Sequence, residues 1–219
     1  MHPHVAVIDP GMRVAELDCF NRMARRAPLP LTYHAPALFG LDSLRRAEDD
    51  LRGIVLFGSG ASVHDDLPWQ HELKAWLLPR LRAGVPTLGL CYGHQLVATL
   101  LGGEVGFLHE DHHKELGRRV VPLKATAAWD ACAPGLVVSH REAVVRVPDE
   151  VDVVGSTEAC AVDAFAHRRL PIYGFQAHPE ATEAFLHNNS VPWPCETERL
   201  AEGHVLVDGF LQRVVGLPR

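Results

Sequence analysis

No apolar run in this sequence is long enough to cross a bilayer, and the opening stretch "MHPHVAVIDPG" lacks the basic-then-apolar order of a leader peptide. Neither membrane insertion nor secretion is expected. Positive charge is in deficit too: 21 Lys and Arg face 27 Asp and Glu, for a net charge of −6. Nothing in that balance attracts nucleic acid or an anionic membrane surface. A disulfide framework is also missing. Cys19, Cys91, Cys132, Cys160 and Cys195 are odd in number and widely scattered, which fits a reducing compartment and a cytoplasmic protein. There is no Walker-type phosphate loop and no dinucleotide fingerprint, so no nucleotide cofactor is expected. Repeats, low-complexity tracts and linkers are absent.

What remains is an ordinary globular balance, 47% hydrophobic and 22% charged over 219 residues. That suits a single domain spanning 1–219 with a core of its own. "HVAVID" (4–9), "LTYHAPA" (31–37), "GIVLFGS" (53–59) and "PTLGLC" (86–91) are short apolar runs that read as buried strands. Helical spacing fills the intervals at 13–27, 68–84 and 92–103, with Pro79 expected to kink or break the middle one. Strand and helix alternate, and the strands are apolar throughout, so a parallel sheet covered on both faces is expected. After residue 103 the runs shorten (118–124, 135–147, 151–157 and 160–168) and read as antiparallel strands. "PIYGFQAH" (171–178) returns to a buried strand, and 197–215 has helical spacing.

The stretch "GLCYGHQ" sets Cys91 between Gly89 and Gly93, where a strand turns into a helix. Such an elbow lifts the central side chain out of the sheet, and its glycines relieve crowding. The helix start beyond it favours a thiolate and leaves the Tyr92 N–H where an oxyanion would form. A thiolate nucleophile needs a base that can also protonate the leaving group. Of 14 histidines, His178 in "GFQAHPE" stands out, because extended-chain alternation would put Glu180 on its side of the strand. Gly58-Ser59-Gly60 follows the third strand at the edge where parallel sheets bind ligands, and its backbone supplies a second oxyanion donor. "HEDHHKE" gathers His109, Glu110, Asp111, His112, His113 and Glu115, but their irregular spacing reads as a solvated loop rather than a metal site.

Taken in order, the Gly-rich loop, the "GLCYGHQ" elbow and the late "GFQAHPE" make the chain resemble the class I (triad) glutamine amidotransferases. The likeness covers nearly the whole length. "ASVHDDLPW", "KELG" and "VVGSTEACAVDAF" bring it closest to the branch holding the amidotransferase domain of GMP synthase and its free-standing relatives. The resemblance implies an α/β, flavodoxin-like fold: a central, mostly parallel sheet with helices on both faces, plus a small antiparallel sheet. It implies Cys91 as nucleophile, His178 as base and acid, Glu180 as its orienting group, and the Ser59 and Tyr92 N–H groups as the oxyanion hole. It assigns Gly58, Gly60, Gln95, Ser139 and His140 to substrate binding. No metal or cofactor is implied. The substrate would be glutamine or a γ-glutamyl compound, with ammonia passing to a separate synthetase subunit if one exists.

The sequence departs from the family at two places. Ser59 stands where the oxyanion loop usually has glycine, and is expected to alter the loop's dihedrals. Ala177 replaces a usual aromatic residue and is expected to widen the pocket or slacken the packing behind His178. Two alternatives stay open: a γ-glutamyl peptide or amide hydrolase with no synthetase, and a non-catalytic binding module on the same fold.

Overall fold

Short β-branched runs separated by amphipathic segments set the order of elements. The computed structural model describes residues 2–216. The first half alternates: β1 (His4–Ile8), α1 (Leu17–Ala24), β2 (Leu31–His34), α2 (Pro36–Phe39), α3 (Asp42–Arg46), β3 (Leu51–Leu56), α4 (Pro68–Arg82), β4 (Thr87–Leu90) and α5 (Tyr92–Leu100). The second half is mostly strand: β5 (Glu104–Phe107), β6 (Glu115–Val120), β7 (Gly135–His140), β8 (Glu142–Arg146), β9 (Val151–Gly155), β10 (Ala164–His167) and β11 (Ile172–Phe175). Then come α6 (Glu183–Asn188), a 3-10 turn (Thr197–Leu200), α7 (Ala201–Gly209) and a π-helical segment (Phe210–Val215).

The main sheet has seven strands in the order β2-β1-β3-β4-β11-β10-β9. Its first five pair in parallel, with the order reversing beside β1 as in the flavodoxin-like arrangement. β10 and β9 extend it antiparallel, and β5 with β8 and β6 with β7 form two antiparallel ribbons. Period-two alternation sorts side chains between the two faces. Val5, Val7, Val55 and Phe57 pack on one side with Cys19 and Met23 of α1 and Leu206 of α7. Ile8, Ile54 and Leu56 pack on the other with Leu73 and Leu77 of α4 and Leu96 of α5.

The expected mostly parallel sheet with helices on both faces is therefore what the chain forms. Three details differ. The first helix starts at Leu17, not residue 13, because the Asp9 carboxylate accepts from the N–H groups of Gly11 (2.9 Å) and Glu16 (2.7 Å) and holds the intervening chain as a loop. Pro79 does not end α4, which continues to Arg82. It removes one N–H from the i→i−4 ladder without stopping the helix. The strands at 151–155 and 164–167 join the main sheet instead of a separate one.

His94, on the first turn of α5, is fully buried, with its ring 4.7 Å from that of Phe165. Burial lowers its pKa from 6.5 to about 3. In the unfolded chain the ring protonates near 6.5, whereas the folded ring stays neutral to about 3, so stability falls as pH drops through that window. Thermal unfolding monitored from pH 7 to 4 is expected to show a steeper loss for wild type than for His94→Asn, by up to ~1.4 kcal/mol per pH unit. Identical slopes would place His94 outside this linkage.

Candidate active site

The elbow is built by close backbone approach. Cys91 follows β4 directly and takes φ 50° and ψ −104° before α5 begins, a conformation L-residues resist. A Cβ on Gly89 would lie 2.5 Å from the Gly93 carbonyl oxygen, and one on Gly93 would lie 2.2 Å from that of Leu56. Both flanking glycines are thus obligatory for the sharp turn. The Cys91 N–H donates to Phe175 O (2.8 Å), and its carbonyl accepts from the Gln95 N–H (3.0 Å). Cys91 is buried, and Gln176 Nε2 donates to its Sγ at 3.8 Å.

His178 lies just past β11, fixed by its N–H donating to Val137 O at 2.8 Å. Its Nδ1 meets Glu180 Oε1 at 2.9 Å, and both residues are buried. The pairing arises from a turn. The strand ends at Phe175, and Glu180 sits in the turn after His178, so the alternation argument reaches the right partner by the wrong route. Burial alone would lower the ring's pKa. The charges of Cys91 and Glu180, with the hydrogen bond to Glu180, outweigh it and raise the pKa to about 10. A cationic ring between sulfur and carboxylate follows from that balance.

Gly58 closes the arrangement from the β3 side. A Cβ there would stand 2.6 Å from His178 Cε1 and 3.5 Å from Cys91 Cβ. Ser59 does not strain the loop: it is absent from the residues of positive φ. Its hydroxyl donates to Pro10 O (2.8 Å) and accepts from the Ala61 N–H (3.1 Å). Among the described residues, the N–H groups of Ser59 and Tyr92 donate no hydrogen bond to the protein. Tyr92 anchors the elbow through its ring, which is buried with its hydroxyl 3.2 Å from Gln70 Nε2.

A cavity of about 380 Å³ opens beside this group. Gly58, Ser59, Gly60, Ser139, His178 and Glu180 line it. Cys91, Tyr92, Gln95 and His140 do not; Cys91 adjoins it, its Cβ 3.5 Å from where a Cβ on the lining residue Gly58 would stand. Gln95 is committed elsewhere, its amide donating to Glu142 O (2.7 Å) and Gln176 Oε1 (3.3 Å). His140 Nδ1 meets Glu142 O at 3.0 Å, and burial lowers its pKa to about 3. The Gln95 bond ties the elbow helix to β8, and neither side chain lines the cavity. Ala177 is fully buried in the core and lines no part of the cavity, so the expected widening does not occur.

Several lining residues escaped the sequence reading: Asp9, Arg13, Glu16, Lys114, Asn188 and Asn189. Asp9 directly follows β1, where the strand order reverses, and that position is the signal that would have found it. Asn188 and Asn189 close α6, whose start is marked by Thr182 accepting from the Phe185 N–H. Burial raises the pKa of Asp9, offset by bonds from Tyr33 and two backbone N–H groups. Burial raises that of Glu16 as well, against bonds from Asn189 and Asn188.

Three of the other thiols are held protonated by their surroundings. Burial raises Cys19 well above its usual value, Cys160 to about 12, and Cys132 also upward. In the His-rich loop, ligand atoms of His109, His113 and Glu115 lie within 4.8 Å of one another. The two rings, however, stack at 3.8 Å and 10°. Imidazole lone pairs lie in the ring plane, so no ion ~2.1 Å from each nitrogen can lie in both planes. Glu115 is instead bonded by His109 (3.0 Å) and Arg119 (3.3 Å).

The sequence signature of the family described as Glutamine amidotransferase class-I matches residues 32–188. The chain is similar to a glutamine-hydrolyzing GMP synthase of Leifsonia xyli, 31% identical over 76% of this chain and 30% of that protein. It also resembles one subunit of the glutamine-hydrolyzing GMP synthase of Methanothermobacter thermautotrophicus, 36% identical over 44% of this chain and 52% of that one. The matched stretch thus spans about a third of the longer relatives. Among solved structures, a glutamine amidotransferase from Thermotoga maritima superposes with a TM-score of 0.76 at 20% identity, covering 99% of this chain and 100% of that one. One from Methylobacillus flagellatus gives 0.72 at 23% identity, covering 99% and 96%. At that identity these two show likeness of fold.

Gly58→Ala is expected to push the His178 ring aside and slow Cys91-dependent turnover roughly 100-fold, with the circular dichroism spectrum unchanged. Turnover equal to wild type would show that the close approach of loop and ring is not needed for the chemistry.

Proposed function

The chain belongs to the class-I glutamine amidotransferase family, and from that premise we propose that it hydrolyses the side-chain amide of glutamine through a Cys91 thioester, releasing glutamate and ammonia. The observation that carries this reading is the buried His178–Glu180 pair at 2.9 Å, which a Cβ on Gly58 would touch together with Cys91 on its strained elbow.

The steps follow from the groups in place. The Cys91 sulfur attacks the amide carbon, and the carbonyl electrons move onto oxygen. The N–H groups of Ser59 and Tyr92 stabilise that oxyanion, each such donor being worth roughly 100- to 1,000-fold in rate. His178 gives its proton to the departing nitrogen, and the oxyanion collapses to a thioester as ammonia leaves. The neutral ring then takes a proton from an entering water, whose oxygen attacks the thioester. Collapse frees glutamate and restores the thiolate beside a protonated ring. Glu180 keeps its charge throughout, favouring the imidazolium and fixing the ring's orientation.

Residues 1–219 act in this reading as one amidotransferase unit, and ammonia passes to a separate synthetase chain. The Methanothermobacter relative, itself named as a subunit of its synthase, supports that division. We place the protein in the cytoplasm, where its five free cysteines stay reduced. Among the described residues, no helix is long and apolar enough to cross a membrane. A second reading, hydrolysis of a substituted γ-glutamyl amide, draws support from the cavity's size, about 380 Å³, with Glu16, Asn188 and Asn189 among its lining residues beside His178.

Glutamate release from glutamine and from γ-glutamyl dipeptides, measured for wild type and Cys91→Ala, separates these readings. Release from glutamine that is lost in the variant supports the first, and a preference for dipeptides supports the second. Release that persists in Cys91→Ala would refute both. Glu180→Gln is expected to lower kcat at least ~100-fold while changing KM little. An effect on KM alone would contradict the orienting role.

A further inference from the structure

One group that touches the Cys91 sulfur has no part in the steps above: the side chain of Gln176. Its Nε2 stands 3.8 Å from Sγ, and both residues are buried, Gln176 completely. Gln176 directly follows β11, whose last residue, Phe175, accepts from the Cys91 N–H at 2.8 Å. The Gln176 N–H donates in turn to Asp163 O at 2.8 Å. One strand end thus fixes both the elbow and the amide that faces it.

Which end of that amide meets the sulfur is set by its other partners. Gln95 Nε2 lies 2.7 Å from the Glu142 carbonyl, which can only accept. With the Gln95 amide reversed, two oxygens would face each other there. The same nitrogen meets Gln176 at 3.3 Å, so the Gln176 atom on that side is the oxygen. The Gln176 nitrogen is left for the sulfur. A backbone carbonyl of β8, read through two buried amides, aims an N–H at Cys91.

A fully buried amide donor is costly unless it finds an acceptor, and a neutral thiol is a weak one. A thiolate is a better one, because a hydrogen bond to an ion is roughly twice as strong as one between neutral groups. The amide therefore favours the charged sulfur, and it does not titrate. The charges of His178, which is paired with Glu180, and of Lys114, which precedes β6, also act on Cys91. His178 gives up its proton as ammonia leaves, whereas Gln176 keeps its donor throughout.

We propose that Gln176 is a further catalytic residue, whose N–H, aimed by Gln95, holds the Cys91 sulfur as an anion before attack and receives it again as the thioester breaks. The second half of that role rests on the glutaminase reading above; the first does not. The test follows labelling of Cys91 by iodoacetamide across pH, read from the mass of its peptide, beside glutamate release from glutamine. Gln176→Met is expected to move the midpoint of the labelling profile upward by about one pH unit. Gln95→Met keeps Gln176 but frees its amide to turn, and should move the midpoint the same way by less. The double variant should shift no further than Gln176→Met, because both changes act through one bond. An unmoved midpoint in Gln176→Met would overturn the proposal. So would shifts that add in the double variant, which would make the two amides independent supports of the fold. If circular dichroism shows Gln176→Met unfolded, an unmoved midpoint in Gln95→Met overturns it instead. Wild type that is labelled at Cys91 but releases no glutamate would overturn the glutaminase reading, while the labelling profiles still decide the role of the amide.

Discussion

A cysteine forced into the left-handed half of the backbone map is the constraint on which the rest of this molecule depends. Holding Cys91 at φ 50° costs on the order of 1–3 kcal/mol, and only an over-determined surrounding keeps it there. The surrounding consists of two glycine backbones packed against carbonyls of the neighbouring helix turn and strand, and one hydrogen bond from the Cys91 N–H to Phe175. That bond has a second effect. Phe175 ends the strand that leads to His178, so the contact joins the sulfur's element directly to the base's element. The parallel pairing of β4 with β11 propagates the same register down the sheet.

How much of this the sequence discloses depends on how local the cause is. The elbow is legible because its glycine spacing, preceding apolar run and following helical run all lie within a few residues. The parallel sheet is legible for a similar reason: continuous apolar strands alternate with amphipathic helices. The loop at 10–16 is not. Helical spacing runs through it, and only a carboxylate at the end of β1, accepting from Gly11 and Glu16, stops the helix from starting early. A side chain that competes for backbone donors across several residues leaves no periodic trace. Glu180 illustrates a mixed case, since the two-residue spacing is visible but the turn that brings it to His178 is not. Resemblance assigned Gln95 and the backbone at His140 to the substrate. The side chains of both bond the Glu142 carbonyl, contacts that join residues distant from Gln95 in sequence and that its helical spacing does not reveal.

Charge is divided across the cavity in a way the net charge of the chain conceals. Asp9, Glu16 and Glu180 stand together without a basic side chain paired to the first two, and burial keeps the Asp9 and Glu16 carboxyls easier to protonate than usual. Arg13 and Lys114 line the same cavity. His178 lines it too, positive because its neighbours overrule its burial. Charges of both signs on one cavity suit a ligand that carries both.

The Ser59 hydroxyl donates to Pro10, a residue of the β1–α1 loop, not to its own strand. Two loops that frame the cavity are thereby coupled like the arms of one lever. Any pressure on the neighbouring Met12, which is solvent-exposed, is transmitted to the peptide that would cradle the oxyanion. A glycine at position 59 would have no such linkage. The substitution that looked like a blemish in the loop therefore ties it to the protein's outer surface.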